Sequence, residues 1–176
     1  MILFLDIDGV LHPAEGKSKD DLFCRLPLLH EILRAAPHVE VVFSTDWRHS
    51  TPLKQLRRRV CEGARDLSPR FIGVTPKRPL GIGLQIRADE CRAWLKANGA
   101  ESRAWLALDD RPAFFYPGDN LYVVDGRTGL SAADVQAVIE RLTPTPECDH
   151  DWLIEGQTMG GNVRVCTKCR EVSVSG

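Results

Sequence analysis

The stretch Met1-Ile2-Leu3-Phe4-Leu5-Asp6-Ile7-Asp8-Gly9-Val10 decides how this chain reads. Its first five residues are apolar without alternation, as expected of a strand buried on both faces in a parallel sheet. The run ends at two carboxylates two residues apart. Gly9 then permits a sharp turn.

The pattern set by that opening recurs along the chain. Pro27 can open a helix at its first position, with Leu29, Ile32, Leu33 and Ala36 at helical spacing and Pro37 as the stop. Val39 to Phe43 reads as a second buried strand. Ser50 or Thr51, followed by Pro52, is expected to start a second helix through an arginine cluster. Phe71 to Val74 forms a short third strand. Leu84, Ala88, Cys91 and Leu95 mark a helix closed by Gly99. Trp105 to Leu108 and Leu121 to Val124 are the fourth and fifth strands. A last helix takes Ser131 as its cap, with Asp134 three residues on and a stripe of Val135, Val138, Ile139 and Leu142. Strands alternating with helices predict an α/β fold, a doubly wound, mostly parallel five-stranded sheet over 1–142.

In such sheets, polar residues just past the strand carboxyl ends gather at the ligand crevice. Those residues are Asp6-Ile7-Asp8 after the first strand, Ser44-Thr45-Asp46-Trp47-Arg48 after the second and Asp109-Asp110-Arg111 after the fourth. Carboxylates crowded in one crevice repel each other unless a cation sits among them. Hard oxygen ligands of this kind suit Mg²⁺. One carboxylate can then attack phosphorus while another handles a proton.

This ordered set resembles the haloacid dehalogenase (HAD) superfamily of phosphatases. More narrowly, Ser44-Thr45-Asp46-Trp47-Arg48, Arg87-x-x-Glu90, Leu108-Asp109-Asp110 and Thr128-Gly129-Leu130-Ser131 look like a small HAD branch that includes domains associated with RNA repair. The resemblance implies that Asp6 is the nucleophile forming an aspartyl-phosphate. Asp8 would be the acid and base, its carbonyl also binding Mg²⁺. Ser44, with Thr45 as the alternative, would hold the phosphoryl oxygens. Asp109 would ligate Mg²⁺, with Asp110 direct or through water. Arg87 would be the basic residue near the nucleophile, with Lys77 as runner-up; a surface Arg87 pairing with Glu90 on its own helix is the other reading. Arg48 reads either as an outer phosphate clamp or as a salt-bridged framework residue. Trp47 reads as packing, and His12, near the site, as an exposed loop histidine, with a substrate contact as the other reading. Neither Leu11–Arg25 nor the region after the second motif leaves room for a cap domain, so the site should be open.

Pro144 and Pro146 break the pattern, making 143–147 a linker. In the tail, 148–176, Cys148-x-His150 precedes Cys166-x-x-Cys169, which resembles a zinc ribbon with a structural, four-ligand Zn²⁺. Val163–Val165 and Val172–Val174 alternate as strands, and Gly160-Gly161-Asn162 reads as the hairpin turn. Cys24, Cys61 and Cys91 look like core or helix residues.

The 176 residues are 43% hydrophobic and 27% charged, which suits one globular domain with a small appendage and argues against disorder. The net charge is −1. The segment from Trp47 to Arg78 nevertheless holds nine basic residues against two acidic ones. It reads as attraction for a phosphorylated or nucleic-acid partner, or as a solvated helix face. No apolar run approaches the ~18–20 residues of a membrane helix. Asp6 directly after Met1–Leu5 leaves no export leader there, which predicts a cytoplasmic protein with reduced cysteines and no membrane partner. The expectation is a Mg²⁺-dependent phosphomonoester hydrolase whose phosphorylated substrates include nucleic-acid ends or nucleotides. The alternative is a non-catalytic HAD scaffold whose zinc ribbon binds nucleic acid or protein.

Overall fold

The computed structural model describes residues 1–15, 18, 21–77, 84–143, 152–158, 161–166 and 172–175. The chain divides into two units, Met1–Thr143 and Pro144–Gly176.

The first unit is built on β1 (Ile2–Leu5), β2 (Glu40–Phe43), β3 (Phe71–Val74), β4 (Trp105–Asp109) and β5 (Leu121–Val123). They pair in the order β3-β2-β1-β4-β5, and every pairing is parallel. The sheet expected to be mostly parallel is therefore wholly so. β1 lies at its centre, which is why that strand is apolar throughout: all four residues are fully buried. Its side chains divide by parity. Leu3 and Leu5 join the core with Leu29, Ile32, Leu33 and Val138 on one face; Ile2 and Phe4 pack with Ala88, Cys91 and Trp94 on the other.

Among the described residues four α-helices cover the sheet: α1 (Leu26–Ala35), α2 (Leu53–Val60), α3 (Ile86–Ala97) and α4 (Ala132–Leu142). Pro27 opens α1 as expected, and Arg70 caps its far end, donating to the carbonyls of Leu33, Ala36 and Val39. α4 begins with the anticipated capping box, Ser131 and Asp134 each bonding the other's end of the turn. Two helix starts differ from expectation. Pro52, rather than Ser50 or Thr51, is the residue before α2, because its fixed φ already suits an entering chain. α3 starts at Ile86, leaving Leu84 71% exposed outside it. Cys61 and Cys91 are buried, but Cys24 lies exposed in the turn before α1.

The second unit contains an antiparallel sheet, β6 (Trp152–Thr158), β7 (Gly161–Cys166) and β8 (Val172–Ser175), in that order. β6 has no alternating signal in the sequence, and its register shifts between Ile154 and Gly156. Gly161 and Asn162, expected in the hairpin turn, instead pair within the sheet with Thr158 and Gln157. Cys166 closes β7; Cys148, His150 and Cys169 lie outside the described residues. Among the described residues no helix is long and apolar enough to cross a membrane.

Candidate active site at the strand carboxyl ends

Parallel pairing brings the ends of β1, β2 and β4 side by side, and their polar residues with them. One oxygen each from Asp6, Asp109 and Asp110 lie within 4.8 Å of one another. Asp6 and Asp109 are almost fully buried. Asp109 Oδ1 accepts from the Arg111 amide at 2.8 Å, while its buried Oδ2 has no hydrogen-bond partner. A buried carboxylate oxygen left this way is costly unless a cation takes it. The three carboxylates therefore fit a hard divalent ion such as Mg²⁺.

Two glycines fix the third carboxylate. Gly9 has φ +72°, and a Cβ there would stand 2.3 Å from Asp110 Oδ2. A Cβ on Gly126, just past β5, would stand equally close at 2.3 Å. Asp110 is thus wedged between two backbones. Gly9 is legible as a turn residue, but Gly126 is not, because its neighbour comes from a different strand end.

Burial pushes the Asp6 carboxyl up to about 6, against the opposing pull of Arg87, the Ile7 amide and the Thr45 hydroxyl. Asp109 is raised too, first by burial and then by the charge of Asp6. Arg87 provides the balancing cation. Its Nη2 lies 3.9 Å from Asp6 Oδ2 and 3.2 Å from Asp46 Oδ1. Burial works against that guanidinium, and the carboxylates of Asp6, Asp109 and Asp46 outweigh it. Lys77 is not beside Asp6; it donates to the His49 carbonyl at 3.4 Å.

Asp8 stands apart from the three-carboxylate group. Trp47 Nε1 donates to its Oδ2 at 2.7 Å, and His12 Nε2 meets its Oδ1 at 2.9 Å. His12 Nδ1 accepts from the Phe23 amide at 3.3 Å, which assigns the ring proton to Nε2 and makes His12 a donor to Asp8. His12 is fully buried, edge-on to Phe23 and Trp47. The expectation of an exposed loop histidine is corrected, and so is that of Trp47 as packing alone. The turn at Gly9 folds residue 12 back over residue 8, and neither carries a sequence signal for it.

The structure also separates Ser44 from Thr45 and gives Arg48 a partner. Val42 belongs to the α3 side of the sheet, and the same parity carries Ser44 there, its hydroxyl 3.7 Å from Cys91 Sγ. The hydroxyl beside Asp6 is that of Thr45. Burial pushes the Cys91 thiol up to about 12, so it is no nucleophile near neutral pH. Arg48 is paired as a framework residue would be, and it also lines the cavity beside Arg87. Its Nη2 pairs with Glu90 at 2.5 Å and its Nη1 donates to the Thr45 carbonyl, with the side chain 3% exposed. Glu90 thus makes its ion pair with Arg48 and bears on Arg87 through its charge alone. The sequence places Glu90 one turn from Arg87, but only the tertiary structure brings the β2 end across to it. A cavity of about 390 Å³ opens beside Arg87, between Asp46, His49, Lys77 and Arg111.

A parallel α/β sheet with clustered carboxylates at the ends of its central strands, one of them beside a buried arginine, defines a Rossmann-like domain whose crevice suits a divalent cation. A family model described as the HAD domain in Swiss Army Knife RNA repair proteins matches residues 2–135, and the chain belongs to that family. No curated protein and no solved structure matches the chain significantly.

Proposed function

We propose that this protein is a Mg²⁺-dependent phosphomonoester hydrolase acting through an aspartyl-phosphate on Asp6, with phosphorylated nucleic-acid ends as the favoured substrates. The observation that carries it is the convergence of the buried Asp6 and Asp109 with the half-buried Asp110, with Arg87 at its flank. Asp6, ionised, attacks phosphorus while the bond to the leaving oxygen breaks. Asp8 gives that oxygen its proton, then takes one from the water that hydrolyses the acyl phosphate. His12 and Trp47 hold Asp8 in place. Thr45 takes the role expected of Ser44, donating to a phosphoryl oxygen. Asp6, Asp109 and Asp110, with the Asp8 carbonyl, would hold Mg²⁺, which when bound neutralises charge on the carboxylates and the phosphoryl group. The name of the matched family supports a substrate related to RNA.

Turnover should be measured on para-nitrophenyl phosphate, nucleotides and 3′- or 5′-phosphorylated oligonucleotides, with Mg²⁺ and with chelator. Mg²⁺-dependent phosphate release with an acid-stable phosphoprotein intermediate is expected. No turnover on any of them would return the chain to the scaffold reading.

The same proposal extends to the tail. Cys148, His150, Cys166 and Cys169 have the donor chemistry and paired spacing of a structural Zn²⁺ site. Elemental analysis of protein purified without added metal should find zinc. Its absence, with Cys166→Ser leaving tail stability unchanged, removes this site.

A further inference from the structure

A second cavity lies away from the carboxylates. It is an open cavity of about 1120 Å³ beside α2, lined by Lys54, Arg57, Arg58, Arg59 and Arg65 with Glu62 as its one carboxylate. Its volume exceeds the roughly 300–1,000 Å³ usual for small-molecule pockets. Among the described residues none of the five cations has an ion-pair partner. The Nε of Arg57 is buried without a hydrogen-bond acceptor. Arg48 Nε is left the same way, but the terminal nitrogens of Arg48 and Arg70, in the same basic segment, are paired within the fold. The five charges sit on a chain whose net charge is only −1.

We infer that the α2 cavity is a binding track for the phosphate backbone of a single-stranded polynucleotide, leading to the carboxylate site. This deepens the phosphatase reading and rests on it for the choice of substrate. Three features favour a strand over a compact anion. Arg57, Arg58 and Arg59 leave the helix about 100° apart, so they fan out and cannot converge on one phosphate. Lys54, Arg57 and Arg58, at i, i+3 and i+4, form a row along one side of α2, and Arg65 supplies charge from beyond the helix. Guanidinium forks match phosphate oxygens in pairs. Continuity with the chemistry comes through Arg59, which lies over the Trp47 ring at 5.5 Å, while Trp47 holds Asp8 at 2.7 Å. A strand in the cavity therefore runs past Trp47 before its end reaches Asp6.

The test uses the full chain and a fluorescein-labelled single-stranded oligoribonucleotide without a terminal phosphate, which gives the site nothing to hydrolyse. Binding is followed by anisotropy at several salt concentrations. Loss of two phosphate contacts in Arg58→Gln/Arg65→Gln should make the slope of log affinity against log salt about 1.4 shallower. Lys54→Gln alone should reduce it by about 0.7. Arg103→Gln removes a charge at the opposite, amino end of the sheet, where Arg103 pairs with Glu40, and should change nothing. Equal slopes in wild type and the double variant overturn the track, as does an equal loss in Arg103→Gln. Tighter binding of an acidic peptide of matched charge overturns the choice of a polynucleotide. Wild-type turnover of para-nitrophenyl phosphate is measured separately. Its absence removes the phosphatase reading, and the salt slopes still decide the track.

Discussion

Around the carboxyl ends of β1, β2 and β4 the charged side chains Asp6, Asp109, Arg48, Arg87 and Glu90 are buried and set against other charged or polar groups; along α2 they are exposed and mostly unpaired. Arg48 holds Glu90, Arg87 holds Asp6 and Asp46, and Asp109 takes an amide. On α2, Lys54, Arg58 and Arg59 face solvent. The difference is one of solvation. A charge taken out of water needs a partner fixed in advance, so the site is rigid and its net negative charge remains for a cation to meet. A charge left in water needs none and stays available for a ligand with many phosphates.

The sharpest way to break this comparison is at the nucleophile. Asp6→Asn should reduce steady-state turnover of para-nitrophenyl phosphate by about 10³ or more, because an amide cannot serve as the attacking oxygen. Its thermal midpoint without metal should equal or exceed that of wild type, since the substitution removes a buried charge. A folded Asp6→Asn protein with near-normal turnover would remove Asp6 from its role.

Next come the two arginine environments. Arg48→Ala leaves Glu90 buried and unpaired and should cost about 3–5 kcal/mol of stability in a urea titration. Arg58→Ala, on the exposed row, should stay within about 0.5 kcal/mol of wild type. Equal costs would erase the distinction between framework and free charge.

His12→Gln weakens the hold on Asp8. It should lower kcat by about tenfold, the worth of one hydrogen bond to a charged group, and leave KM nearly unchanged. A large rise in KM with constant kcat would make His12 a substrate contact instead.

The smallest effect concerns pH. Asp6 titrates near 6 in the folded, metal-free protein, well above the value of an unfolded aspartate. Between these values the native state binds the extra proton, so stability falls as pH rises toward and through about 6. Asp109 acts in the same direction. A divalent cation must displace that proton, so the gain in thermal midpoint on adding Mg²⁺ should be larger at about pH 7 than at about pH 5. A gain independent of pH would place the ion away from Asp6.

The strands, their order of chemistry and the acidic residues at their ends were legible because each is a local signal. β1 is apolar on both faces and stops at Asp6; β4 stops at Asp109-Asp110; Ser131 and Asp134 announce α4. What was illegible depends on which residue meets which across the fold. His12 over Asp8 needs the turn at Gly9, and Gly126 against Asp110 needs β5 beside β4. Ser44 and Thr45 were indistinguishable until the parity of β2 sent one hydroxyl to Cys91 and the other to Asp6. Residues Cys148, His150 and Cys169 remain where the sequence leaves them, as a spacing with metal chemistry.

By itself, then, the sequence determined the α/β pattern, the parallel sheet and the carboxylates at its crevice. Hydrophobic periodicity and strand ends are written residue by residue along the chain. Only the tertiary structure decided between Arg87 and Lys77 beside Asp6, paired Glu90 with Arg48, and set Arg48 and Arg70 in the framework while Lys54, Arg57, Arg58, Arg59 and Arg65 line an open cavity. A charge's role is set by its burial and by the partner within about 4 Å, and neither exists until distant segments have packed together.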